Sequence, residues 1–148
     1  MSKKYTVTLT EKQLLAISDA ADLLQRVQLG QWDEIQDNLP LDYKNIDWSG
    51  FHGDFDEIGR ILSKYMINGI DGKRSSLGIG NENLPESNSI LYDIYKSINH
   101  KLAMDKLIDD GKIKDENVSR NELPIFIQYD EVRALSNEPL PKIERIVE

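Results

Sequence analysis

The amino-acid sequence predicts an α+β fold, about three main helices packed with a small antiparallel sheet. Two observations carry this. Apolar residues recur at helical spacing in three segments, residues 10–39, 54–69 and 87–109. Short runs that alternate β-branched or aromatic residues with others, residues 5–9 and part of 123–132, read as strands. A chain of 148 residues can hold one core without covalent staples, so residues 1–148 are read as a single domain whose tail is extended from about residue 136.

The first helix has a marked start. Thr10 can accept from the Gln13 amide while the Gln13 side chain reaches back to Thr10, the T-x-x-Q form of a capping box, and Glu11 places negative charge in the first turn. Leu14, Ile17, Ala21 and Leu24, with Leu23 and Val27 alongside, form the apolar stripe. Gly30 is expected at a helix end, a kink or a close contact, because an interior glycine costs about 1 kcal/mol relative to alanine. Trp32 and Ile35 continue the spacing for one more turn, and Pro40 stops the element. Leu14, Leu15, Ile17, Leu23, Leu24, Val27 and Leu29 spread over more than one stripe. A small domain rarely covers so much helix surface alone, so a homo-oligomer is expected.

Tyr43, Ile46, Trp48 and Phe51 then make an aromatic loop, read as covering a core edge or, alternatively, lining a site. Asp54 is predicted to open the second helix, with Asp56 and Glu57 in its first turn and Phe55, Ile58, Ile61, Leu62, Tyr65 and Met66 as its apolar set. Asn68-Gly69 ends it. Residues 70–88 are irregular, with Lys73 and Arg74 among glycines. Backbone amides in such a loop can cradle phosphate, but neither a Walker motif nor G-x-G-x-x-G is completed, since Gly72-Lys73 is followed by Arg74 and Gly78-Ile79-Gly80 by Asn81-Glu82-Asn83. A plain connection and an anion loop both remain open. Ser87 or Asn88 caps a third helix that runs to about Asp109, with Leu91, Ile94, Tyr95, Ile98 and Leu102 as its buried stripe. Tyr92, Lys96, Asn99 and His100 share an adjoining flank. A ring, a cation, an amide and an imidazole could hold a nucleotide there; a merely solvated flank is the plainer account.

Composition narrows the function. Acidic residues outnumber basic ones 26 to 18, a formal charge of −8. This argues against nonspecific nucleic-acid binding, which needs a basic footprint, and leaves an acidic DNA mimic open. There is no cysteine, and His52 and His100 are the only histidines. No zinc spacing, nucleophile elbow or cofactor motif occurs, so neither a metal nor a cofactor is expected and the chain is not read as an enzyme. No run approaches the roughly 20 apolar residues that span a bilayer, so no membrane partner is expected.

Three segments carry a resemblance: residues 23–35 (LLQRVQLGQWDEI), residues 89–100 (SILYDIYKSINH) and residues 140–144 (LPKIE). They resemble small accessory proteins of tailed phages, although Asn99-His100 stands where that group often has Arg-His. The chain also resembles the anti-Thoeris sponges, a family of oligomers that trap cyclic ADP-ribose derivatives. The resemblance implies a counter-defence protein in the cytoplasm of the infected host cell that sequesters a small anionic signalling nucleotide. For such a ligand the candidate binding residues are Arg60, Lys73, Arg74, Asn81, Asn83, Tyr92, Lys96, Asn99 and His100: cations for phosphate, amides for ribose or base, and a ring to stack. The alternatives are an acidic inhibitor or DNA mimic acting on a host defence protein, and a phage enzyme or structural accessory factor.

Overall fold

The computed structural model describes residues 3–66, 77–124, 127 and 132–146. Among them run α1 (Glu11–Gln28), the single turn α2 (Asp33–Gln36), α3 (Trp48–Ser63), α4 (Glu86–Asp109) and a 3-10 turn at Arg120–Glu122. The chain divides into two compact units. The first comprises Met1–Ala21 and Tyr92–Glu148, the second Asp22–Leu91.

The fold is helical, and this corrects the expected α+β class: no strand occurs among the described residues. Residues 5–9 alternate as a strand would but join no ladder, and Tyr5 and Val7 are 82% and 71% exposed. Alternation is a necessary feature of a half-buried strand; a neighbour that takes up its backbone groups is the other, and none is supplied. Within the second expected strand, residues 125–126 and 128–131 lie outside the described residues, and the Ile127 N–H donates to the Pro124 carbonyl at 2.9 Å, which is a turn. In the tail, residues 139–146 also make no ladder.

The two ends of α1 form as local chemistry dictates. Thr10 N–H donates to Gln13 Oε1 at 2.9 Å and Gln13 N–H to Thr10 Oγ1 at 3.3 Å, completing the capping box. At the other end Gly30 has φ +85°, with Gly30 N–H bonded to the Val27 carbonyl and Gln31 N–H to the Arg26 carbonyl, both at 3.0 Å. This is a Schellman stop, in which a left-handed residue ends the helix and satisfies its last carbonyls. Trp32 and Ile35 therefore lie beyond α1 and do not extend it. Arg26 fastens the turn by donating to Asp22 at 2.8 Å and Glu34 at 2.7 Å.

The inward edge of α1 differs from the expected stripe. Ser18, Ala21, Gln25 and Leu29 are buried, while Ile17 and Leu24 are 41% and 48% exposed. In the first unit Ser18 Oγ donates to Asn99 Oδ1 at 2.9 Å; in the second Asn88 Nδ2 donates to the Gln25 carbonyl at 3.0 Å. Small and polar residues face α4 because α4 presents amides that need partners.

In the second unit α3 begins at Trp48, six residues before the expected Asp54, so Asp54, Asp56 and Glu57 sit inside the helix and not in its first turn. Trp48 and Phe51, expected in a loop, form that first turn, with ring centroids 6.1 Å apart and Tyr43 5.7 Å from Trp48. The buried residues of α3 are Gly59 and Ser63. A Cβ on Gly59 would lie 3.2 Å from Trp32 Cδ1, so the missing side chain lets the indole approach the helix. Ile58, Ile61, Leu62 and Tyr65, expected in the core, are exposed.

In contrast, α4 has no exposed residue from Asn88 to Asp105. Its later turns bury Met104 and Leu107 with Ile127, flanked by Ala103, Ile113, Val118 and Leu123, the core of the first unit. Gly111 (φ +66°) ends the helix with the same pair of bonds, Gly111 N–H to Ile108 and Lys112 N–H to Leu107, each 2.9 Å.

Two substitutions test these helix ends. Thr10→Ala is expected to lower stability by about 1 kcal/mol through loss of the cap. Gly30→Ala is expected to cost about 1–2 kcal/mol, because an L-residue resists the left-handed conformation. Urea unfolding followed by circular dichroism measures both, and a raised midpoint for Gly30→Ala would show that the stop is not held by its glycine.

Candidate functional site

The polar face of α4 in the first unit is the candidate site. Asp93, Ser97 and His100 stand at i, i+4 and i+7 and so share one side of the helix. Asp93 is 3% exposed, and its carboxylate accepts from Leu135 N–H at 2.9 Å, Ser136 N–H at 3.0 Å and Ser136 Oγ at 2.6 Å. Three donors offset the burial of that charge and fasten residues 135–136 to the helix.

One and two turns further along, the polar groups are not satisfied. Ser97 is 9% exposed, and both Ser97 Oγ and His100 Nδ1 are buried without a hydrogen-bond partner. Leaving such a group unpaired costs about 1–3 kcal/mol, and a bound molecule that supplies the partner recovers it. Beside them Lys96 Nζ lies 5.9 Å from the Tyr95 ring centroid, and the Tyr92 and Tyr95 rings are 6.5 Å apart. Asn99 uses its carbonyl oxygen on Ser18, which leaves its amide N–H groups outside that bond.

A hollow lies elsewhere in the same unit. A groove of about 930 Å³ is walled by residues 7–11 and 13–15, residues 101–103 with Asp105, Lys106 and Asp109, and residues 143–146. Neither Asp93, Ser97 nor His100 lines it. Its volume suits a ligand, but two of its cations are already committed. Lys101, with a side chain only 12% exposed, donates to Asp105 at 2.5 Å and Glu116 at 2.7 Å, and Arg145 donates to Asp109 at 2.7 Å. Burial pulls the Lys101 pKa down, but the two carboxylates outweigh it and hold the ammonium above the usual lysine range. The chemistry of the α4 face therefore ranks above the volume of the groove.

The expected ligand residues distribute as follows. Tyr92, Lys96, Asn99 and His100 come together on α4 in the first unit. Arg60, Asn81 and Asn83 belong to the second unit. Arg60 is bound by both oxygens of Glu57, whose pKa is lowered chiefly by that hydrogen bond. Asn81 Oδ1 accepts from Asn83 N–H at 2.9 Å and Asn83 Nδ2 at 3.2 Å, a local turn. Lys73 and Arg74 lie outside the described residues. Asp93 and Ser97 were not foreseen, although their spacing from His100 was the available signal.

Among the described residues no group of three or more His, Cys, Asp or Glu could hold a metal ion, and no helix is long and apolar enough to cross a membrane. A scan against protein-family models finds no match, and searches of curated proteins and of solved structures find none either.

Two outcomes follow from these charges. Asp93→Asn is expected to cost about 2 kcal/mol or more, because charge-assisted bonds contribute about 1.5–3 kcal/mol and an amide nitrogen would face an N–H donor; chemical denaturation checks it. For Lys101 the raised folded pKa means its stabilisation is fully present below the unfolded value of about 10.4 and is lost as pH rises through the folded value. Thermal unfolding should thus show a Lys101-dependent decline only above about pH 10, and Lys101→Met should remove that part of the decline.

Proposed function

We propose that this is a binding protein that captures a small anionic nucleotide on the Tyr92–His100 face of α4, in the manner of a phage counter-defence sponge acting in the infected cell. The observation that carries the reading is the pair of buried, unpartnered groups Ser97 Oγ and His100 Nδ1, one turn apart on that face. A hydroxyl and an imidazole can each donate or accept, so they suit ribose hydroxyls, a base edge or a phosphate oxygen. Lys96 contributes a point charge, Tyr92 a ring to stack and Asn99 an amide. Local cationic charge is required, since the chain carries −8 overall.

A second reading, an acidic inhibitor of a host protein, is favoured by a different observation. Arg26, Arg60, Lys101 and Arg145 are each bound to carboxylates within the chain, so the acidic surplus falls on the remaining surface.

Calorimetric titration with a cyclic ADP-ribose derivative separates the two. Saturable binding by the wild type is expected, weakened by Ser97→Ala and by His100→Gln by about 1–3 kcal/mol each, or roughly 5- to 160-fold. Equal affinity in both variants and the wild type would remove the α4 face as the site. Failure of the wild type to bind any nucleotide of a broad panel would transfer the assignment to the acidic inhibitor.

A further inference from the structure

Helix α3 shows its large apolar residues outward. Its buried residues are Gly59 and Ser63, whereas Ile58, Ile61, Leu62 and Tyr65 are 47%, 43%, 39% and 84% exposed. Asp54, Ile58 and Ile61 follow at intervals of four and three, a single straight stripe, Leu62 lies alongside it, and Tyr65 stands in the turn just past the helix end. Solvation gives no reason for such an ordered row of branched side chains, while a facing helix would bury all of it.

Charge selects the occupant. On the flank of this stripe Glu57, which also holds Arg60 of its own helix, comes early and Lys64 two turns later as the C-cap residue, and Asp54 begins the stripe itself. We infer that α3 pairs antiparallel with α3 of a second copy of this chain, about a two-fold axis level with Gly59 and Arg60. In that register Ile58 meets Ile61 of the partner subunit. The same register sets Lys64 level with the partner's Phe55, between the partner's Asp54 and the partner's Glu57, and repeats the arrangement across the axis. A parallel pair would instead put Asp54 beside its own copy and set the Glu57 and Lys64 flank of each helix against the Leu62 flank of the other, leaving those charges without opposite partners. The isologous antiparallel pairing is thus the one in which apolar and charged positions match at once. It stands independently of nucleotide capture, which concerns α4.

The area on one helix of 16 residues is below that of a standard interface, so the dimer is expected to form in the micromolar range and to dissociate on dilution. Sedimentation equilibrium of the full chain across this range should move from 17.0 kDa towards twice that mass. Leu62→Asp should hold it at the monomer mass while circular dichroism remains that of the wild type, since the position is exposed. Leu24→Asp, on the exposed side of α1, should leave the dimer intact. Lys64→Glu and the double variant Asp54→Lys/Glu57→Lys should each dimerise several-fold more weakly alone, and an equimolar mixture of the two should recover a heterodimer. A wild type that stays at 17.0 kDa throughout overturns the proposal. So does a dimer lost in Leu24→Asp but kept in Leu62→Asp, and a mixture that fails to recover overturns the antiparallel register.

Discussion

A helix with no exposed residue from Asn88 to Asp105 has to find partners within the fold for most of the polar groups it carries, and α4 carries many. Asn88 reaches the Gln25 carbonyl and Gln28, Asp93 takes three donors from residues 135–136, Asn99 accepts from Ser18, and Lys101 bridges Asp105 and Glu116. Each of these contacts brings a particular segment to a particular turn. An apolar helix could be covered by any oily surface of suitable width; a helix studded with amides and a carboxylate accepts only chain that offers complementary groups at the right level. What packs on α4 in each unit is therefore set by hydrogen bonding first and by apolar burial second, with Met104, Leu107 and Ile127 forming the one buried apolar cluster among the described residues.

This constraint accounts for the outward-facing apolar residues. Ser18 and Gln25 take inward positions on α1, which rotates Ile17 and Leu24 towards solvent by about one residue of register. The analogous exchange on α3 has a steric cause: Trp32 approaches the helix at Gly59, and the branched residues of the opposite flank are left uncovered. In both cases the buried edge is made of small or polar side chains, and the apolar surplus is displaced to where another surface can meet it.

The division between what the sequence disclosed and what it concealed follows the range of the interactions. The capping box at Thr10 and the glycine stops at Gly30 and Gly111 depend on residues a few positions apart, and they form where local chemistry places them. The facing edge of α1 depends on Asn99, 81 residues from Ser18, and hydrophobic periodicity alone pointed to a neighbouring edge. The strand at residues 5–9 failed for the same reason, because alternation describes one chain and a ladder requires two. Trp48 was misplaced in a loop because Asp47, Ser49 and Gly50 around it are poor helix formers; tertiary packing of Tyr43, Phe51 and Phe55 overrides that preference. Of the candidate ligand residues, the shared helix of Tyr92, Lys96, Asn99 and His100 was legible because four side chains on one helix need no knowledge of the fold. The ion pair of Arg60 was not, since it depends on the rotamer of Glu57 three residues earlier.

Against this background the unpaired Ser97 Oγ and His100 Nδ1 gain weight from their neighbours. They lie between Asp93, which is fully engaged, and Lys101, whose ammonium is held by two carboxylates. On α4 the Asp93 and Lys101 turns on either side of the pair are satisfied, while Asn88 Oδ1, nearer the start of the helix, is a further buried oxygen without a partner. A deficit of that form is local, costs about 1–3 kcal/mol per group, and is tolerable only because the contacts on either side keep the helix in place. Binding a molecule with matching donors and acceptors would remove the deficit without moving α4, so the free energy released would go into affinity and not into rearrangement.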